Sequence, residues 1–240
     1  KYLSEKPIYL PNCYQPNDDQ RRIPETNTTR KDFGLPETGF VFCSFNNTYK
    51  ITPREFDIWM RLLGKVEGSV LWLFKGNDYA AENLRKEAQK RGIDPGRLVF
   101  ADKTPEPEHL ARHKHADLLL DTFNVNAHTT ASDALWAGLP LVTLPGEQFA
   151  ARVAASILTA ANMSELIAKD EADYEAIALD LALHPEKIMA LKQKLQEQIK
   201  TCPLFDTVTY TRDIEAAFEA AYDRYLKGLA PDDIDLTRAK

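Results

Sequence analysis

Four groups of residues have types and spacings that could do chemistry. His128, Thr129 and Thr130 stand together, with Asp133 one helical turn on. If a helix begins there, its unpaired N–H groups, positive dipole end and two hydroxyls make a cradle for a phosphate. The same residues also serve as ordinary N-caps, with an acid that complements the dipole. An acid in this place can instead accept hydrogen bonds from ribose hydroxyls. Lys50, in SFNNTYKITP, lies just past a strand end and could neutralise charge on a departing pyrophosphate, or be a surface lysine. His109, Arg112 and His113 share one helix face. Two histidines four apart could bind zinc, but no third ligand is placed nearby, and a solvated charged face is the plain reading. Asp233-Ile234-Asp235 forms a D-x-D pattern in the tail, and Asp18-Asp19 is a second acidic pair. Neither is a persuasive metal site.

The elements that must position these residues follow from pattern. Leu118, Leu119 and Leu120 read as a strand buried on both faces. Asp121 ends it, Thr122 to Ala127 is a polar loop, and a helix from the threonines runs to Ala137, closed by Gly138 and Pro140. Leu141 to Leu144 is the next strand. Upstream, strands are predicted at Phe40 to Cys43, Val70 to Phe74 and Arg97 to Ala101. Helices are predicted from Pro53 to about Lys65 behind a Thr52 cap, at Ala80 to Arg91 and at Pro107 to His115. This alternation predicts an α/β fold with a Rossmann-like, doubly wound parallel sheet. In such sheets ligands bind at the C-terminal ends of strands. After Pro145 the pattern is helical: Phe149 to Ala160, Ser164 to Ala168, Glu171 to Leu183, Pro185 to Lys200 and an amphipathic helix at Thr209 to Lys227. Residues 1–32 have little to bury by themselves, and the tail from Gly228 should fray.

The 240 residues, 44% of them hydrophobic, suffice for one large domain or one domain with an appendage. A net charge of −6 argues against a general nucleic-acid or membrane-surface binder. No apolar run is long enough to span a bilayer. Cys13, Cys43 and Cys202 make no close-spaced metal pattern and suggest a reducing compartment, hence the cytoplasm. Sequons at Asn27, Asn46 and Asn162 would matter only after secretion, which nothing here suggests. A first residue of Lys rather than Met reads as a piece of something longer.

AHTTASDALWAGLPLVT resembles the nucleotide-sugar site of the O-GlcNAc transferases, glycosyltransferase family 41, whose pattern is close to GHTT-x-x-D-x-L-W-x-G-x-P-x-V-T. FAARVAASILTA, SFNNTYKITP and TCPLFDTVTYTRDIEAAF resemble further segments of that family, in the same order. The resemblance covers nearly the whole chain and suggests a bacterial-type, SPINDLY-like member without the large insertion of animal enzymes. It implies the C-terminal lobe of a GT-B glycosyltransferase with added C-terminal helices. Residues 1–32 would be the end of the first catalytic lobe and a linker, 33–228 the nucleotide-sugar-binding lobe, and 229–240 a flexible tail. It implies inverting, metal-independent transfer of GlcNAc from UDP-GlcNAc to Ser or Thr of acceptor proteins, with no cofactor. Upstream helical repeats (TPR-type) and a first lobe carrying the base would complete the protein. Protein fucosyl transfer from GDP-fucose, a UDP-sugar epimerase of the same architecture and a non-catalytic nucleotide-sugar-binding module are the alternatives.

By residue, the resemblance implies that Lys50 contacts the diphosphate and stabilises the leaving group. Asn47 stands where a longer glutamine usually reaches the same phosphates. His109 and Arg112 would hold uracil, and the backbone at Thr104 would bond its edge. Thr129 and Thr130 would take the phosphates, Asp133 the ribose, and His128 would lie near the sugar and β-phosphate. Glu106 departs from the family, which often has a ribose-touching lysine there.

Overall fold

The computed structural model describes residues 4–237. After a short strand β1 (Ile8–Tyr9), the chain alternates from β2 (Val41–Ser44) through α1 (Pro53–Lys65), β3 (Val70–Phe74), α2 (Asp78–Lys90), β4 (Leu98–Ala101) and α3 (Glu106–Arg112). It continues with β5 (Leu118–Leu120), α4 (Thr129–Trp136) and β6 (Leu141–Val142), and then turns helical: α5 (Val153–Ala160), α6 (Glu171–Leu183), α7 (Pro185–Gln198) and α8 (Thr207–Leu226), before a last strand β7 (Ile234–Asp235).

Five strands pair in parallel in the order β4-β3-β2-β5-β6. The register sets Cys43 beside Trp72, Phe42 beside Leu118 and Leu119 beside Leu141. All three leucines of β5 are fully buried, as a strand covered on both faces requires. The succession runs from β2 outward to β4, then restarts on the other side at β5. The order therefore reverses between β2 and β5, and a crevice opens outside their carboxyl ends. The expected α/β, doubly wound parallel sheet is the one observed.

Local chemistry explains the elements that flank this crevice. At the start of α1, the Thr52 N–H donates to Glu55 Oε1 at 2.6 Å, the Thr52 hydroxyl also donates to that carboxylate, and Pro53 takes the first turn. The helix buries Phe56, Trp59, Leu62 and Leu63. Trp59 Nε1 donates to the Tyr174 hydroxyl at 3.3 Å, joining α1 to α6. α4 ends at Gly138, whose φ of 77° is the left-handed conformation that glycine adopts without strain.

Several boundaries differ from the sequence reading. The helix expected over Pro107 to His115 tightens into a 3-10 turn at His113–His115, just before β5 begins. Phe149–Ala151 is a 3-10 turn separate from α5, because its carbonyls serve the crevice loops: Asn126 N–H donates to Ala150 O and Gly146 N–H to Ala151 O. β6 stops at Val142, where Thr143 changes partner and bridges Ile167. α8 starts at Thr207 because the Asp206 carboxylate caps it, accepting from the Thr209 N–H at 2.8 Å.

The opening segment packs back on the domain. Cys13 is buried, Asn17 Nδ2 donates to Leu204 O at 3.1 Å, and Trp136 Nε1 donates to Arg21 O at 3.1 Å. The tail expected to fray from Gly228 carries β7, which pairs in parallel with β1 through Ile234 N–H to Pro7 O and Leu236 N–H to Tyr9 O, both 3.1 Å. The last residues of that expected tail, 238–240, lie outside the described residues.

Candidate functional site

The crevice is built in layers. Beneath it lies Asp121, the residue that ends β5, fully buried. Its Oδ1 accepts from the N–H groups of Thr122 (2.8 Å) and Ala127 (2.6 Å) and from Asn46 Nδ2 (3.2 Å), and its Oδ2 accepts from the Thr143 hydroxyl (2.6 Å). One carboxylate thus ties the loop after β2, the loop after β5 and the end of β6 into one floor. Burial pushes its pKa up to about 6 against those four donors. The sequence reading saw Asp121 only as a strand end, since its partners lie up to 75 residues away.

Above that floor opens a cleft of about 570 Å³. The loop after β2 contributes Phe45, Asn47, Tyr49 and Lys50; the region after β4 contributes Lys103, Thr104, Glu106, His109 and Arg112; α4 contributes Thr130 and Asp133. Seven of the nine sequence-predicted residues therefore meet in one place. Thr129 is exposed at the first position of α4, and half-buried His128 precedes it; neither lines this cleft.

Lys50 is half-buried, and its ammonium donates to Asn126 O at 3.0 Å, which leaves two protons for a ligand. Burial lowers its pKa, and the nearby Asp121 pulls it back up. Arg112 is 4% exposed, so it is not part of a solvated helix face. It lies 4.7 Å over the Phe45 ring, donates from Nη1 to Asp102 O at 2.8 Å, and meets His109 Nδ1 from Nη2 at 2.5 Å. Because arginine only donates, Nδ1 is the acceptor, so His109 is neutral and carries its proton on Nε2. Burial and the Arg112 charge push the His109 pKa down to about 4. His113 plays a structural part. It is fully buried, its Nδ1 donates to His109 O at 2.7 Å, and burial pushes its pKa down to about 3.

Thr104 presents a buried hydroxyl oxygen without a partner, in a position to be satisfied by a ligand. The first N–H groups of α4 have no intrahelical acceptors. His128 Nε2 lies 3.2 Å from Ala150 O, a pure acceptor, so Nε2 holds the proton and Nδ1 accepts from the Tyr14 hydroxyl at 3.3 Å. Asp133 is ion-paired with Arg21, a contact that no local sequence signal announces.

A shelf made by a neutral imidazole and a charged guanidinium, a lysine, a helix N-terminus and an acid stand at one end of a parallel sheet. They can hold, in turn, a planar heterocycle, a diphosphate and a sugar diol. The glycosyl transferase family 41 model matches residues 17–214. An Arabidopsis thaliana protein named as a probable UDP-N-acetylglucosamine–peptide N-acetylglucosaminyltransferase is 36% identical over 95% of this chain. A Caenorhabditis elegans UDP-N-acetylglucosamine–peptide N-acetylglucosaminyltransferase is 38% identical over 86%. This chain spans 24% and 18% of the lengths of those two relatives. Among solved structures, an O-GlcNAc transferase of Thermobaculum terrenum superposes with a TM-score of 0.72 at 28% identity, over 88% of this chain and 39% of that one.

Proposed function

This chain belongs to glycosyltransferase family 41, and we propose that it is the UDP-sugar-binding lobe of a protein O-GlcNAc transferase. The observation that carries this reading is the convergence of Lys50, Thr130, Asp133 and the His109–Arg112 pair on one cleft at the sheet's switch point. Uracil would lie against His109 and Arg112, with the Thr104 backbone at its edge. The ribose would meet Asp133, and the diphosphate would meet Lys50, Asn47 and the start of α4, with His128 close to the sugar. The names of the relatives favour UDP-GlcNAc as donor and peptide hydroxyls as acceptors.

This lobe would act on the leaving group. Negative charge grows on the β-phosphate as the glycosidic bond breaks. Lys50, the Thr130 hydroxyl and the helix N-terminus would be fixed dipoles and charges there, with Thr129 at the cleft's margin, so little reorganisation would be needed. Transfer would proceed with inversion, without metal or cofactor. The base, the first lobe, the helical repeats and most acceptor contacts would come from the rest of the protein. Among the described residues no helix is long and apolar enough to cross a membrane, and all three cysteines are buried and free. A cytoplasmic location is our proposal, supported by the three unpaired cysteines.

Calorimetry on the full-length protein tests the base assignment. UDP should bind more tightly than GDP or ADP. Equal affinity for all three would remove uracil from the His109–Arg112 shelf and bring forward the GDP-fucose reading.

A further inference from the structure

Arg21 comes from the opening segment, far in sequence from every element of the cleft. Its Nη1 is paired with Asp133 Oδ1, across 112 residues of chain, and lies 3.4 Å from Glu106 Oε1. Both carboxylates line the cleft. The Arg21 side chain is 14% exposed, as is that of Asp133, so this is no loose surface pair.

The segment is already anchored without that guanidinium. Trp136 Nε1 donates to Arg21 O, a backbone contact that does not need the side chain, and Asn17 Nδ2 donates to Leu204 O; the guanidinium carbon, 5.9 Å from the Trp136 ring centre, comes in addition. What the guanidinium adds is electrostatic. Burial raises the Asp133 pKa and the Glu106 charge raises it further, while Arg21, by hydrogen bond and by charge, lowers it. A bound diphosphate would bring still more negative charge. Without a cation beside it, Asp133 would tend toward the protonated form, which is a poorer acceptor, and nothing would fix its orientation. With Oδ1 held by Arg21, Oδ2 remains to accept from a ligand.

We propose that Arg21 is a positioning residue of the donor site, holding Asp133 as an oriented, ionised acceptor for the hydroxyls of the nucleotide's ribose. This rests on the nucleotide reading above, and it makes the opening segment part of the site rather than a linker alone.

The test is a double-mutant cycle on the full-length protein, read by calorimetry with UDP and with 2′,3′-dideoxy-UDP. The variants are Arg21→Met, Asp133→Ala and the two combined. Methionine keeps an apolar stem against Trp136, which guards against loss of folding, and Arg21→Lys restores the charge. The wild type should prefer UDP over the dideoxy compound by roughly tenfold, the value of one charge-assisted hydrogen bond. Arg21→Met should lose most of that preference and leave dideoxy-UDP affinity near wild type. Arg21→Lys should recover part of it, and Arg21→Met should cost nothing further in the Asp133→Ala background. Equal weakening of both nucleotides, or additive effects in the cycle, would overturn the assignment while leaving the nucleotide site in place. No UDP binding by the wild type would overturn both together.

Discussion

Lys50 has one ammonium proton committed to Asn126 O, and that bond aims the remaining two. A group held this way stabilises charge that develops in a transition state better than charge already present in bound donor. In the full-length enzyme Lys50→Ala should therefore lower kcat by about 10² to 10³, the usual loss for one such donor, and raise the donor KM much less. Asp133→Ala, which would remove the proposed contact to an unreacting ribose, should act mainly on KM. Steady-state kinetics with UDP-GlcNAc distinguishes the two, and a reversed pattern would make Lys50 a ground-state contact. Lys50, Thr130 and Asp133 could be picked out from sequence because each sits at a recognisable strand end or helix start. Arg21 and Asp121 could not. One lies in a charged stretch with no periodicity, the other looks like an ordinary strand terminator, and both acquire meaning only from partners distant in the chain.

The short α3 shows how an element tunes several groups at once. It presents His109 to the cleft, turns Arg112 inward over Phe45, and offers the His109 carbonyl as acceptor to His113 Nδ1 beneath. Both histidines are neutral in the folded protein, with pKa values pushed down to about 4 and about 3, against 6.5 for a free side chain. Their contribution to stability is therefore fully present above pH 6.5 and is lost as pH falls toward 4, because the unfolded chain takes up the protons first. Asp121 works the other way, since its raised pKa favours the folded state as pH falls through 6. The comparison that isolates the histidines is wild type against His113→Gln. The variant should be less stable at pH 7 by several degrees in Tm, and the gap should narrow steadily between pH 6.5 and 4. A gap independent of pH would mean that His113 is not buried neutral. The alternation of strand and helix was legible because VLWLF and LLL are apolar on both faces and Thr52-Pro53 marks a helix start. The break at Arg152 was not, because it answers to the Ala150 and Ala151 carbonyls, which accept from other loops.

At the scale of the molecule, this chain holds the proposed nucleotide cradle but none of the groups proposed to supply the base and the acceptor site. Residues 1–240 expressed alone should bind UDP weakly, since an open half-cleft leaves the ligand partly solvated, and should not glycosylate a protein. Adding the missing first lobe as a separate chain should restore transfer. Sugar incorporation by residues 1–240 unaided would sink the two-lobe reading. The fold also fastens its own extremities. Ile8–Tyr9 and Ile234–Asp235 run in parallel, joined by two backbone hydrogen bonds. Tension applied ahead of β1 and beyond β7 would load that pair in shear, both bonds at once, instead of peeling them one after the other. The sheet that carries the cleft would be shielded from the pull until the pair had given way.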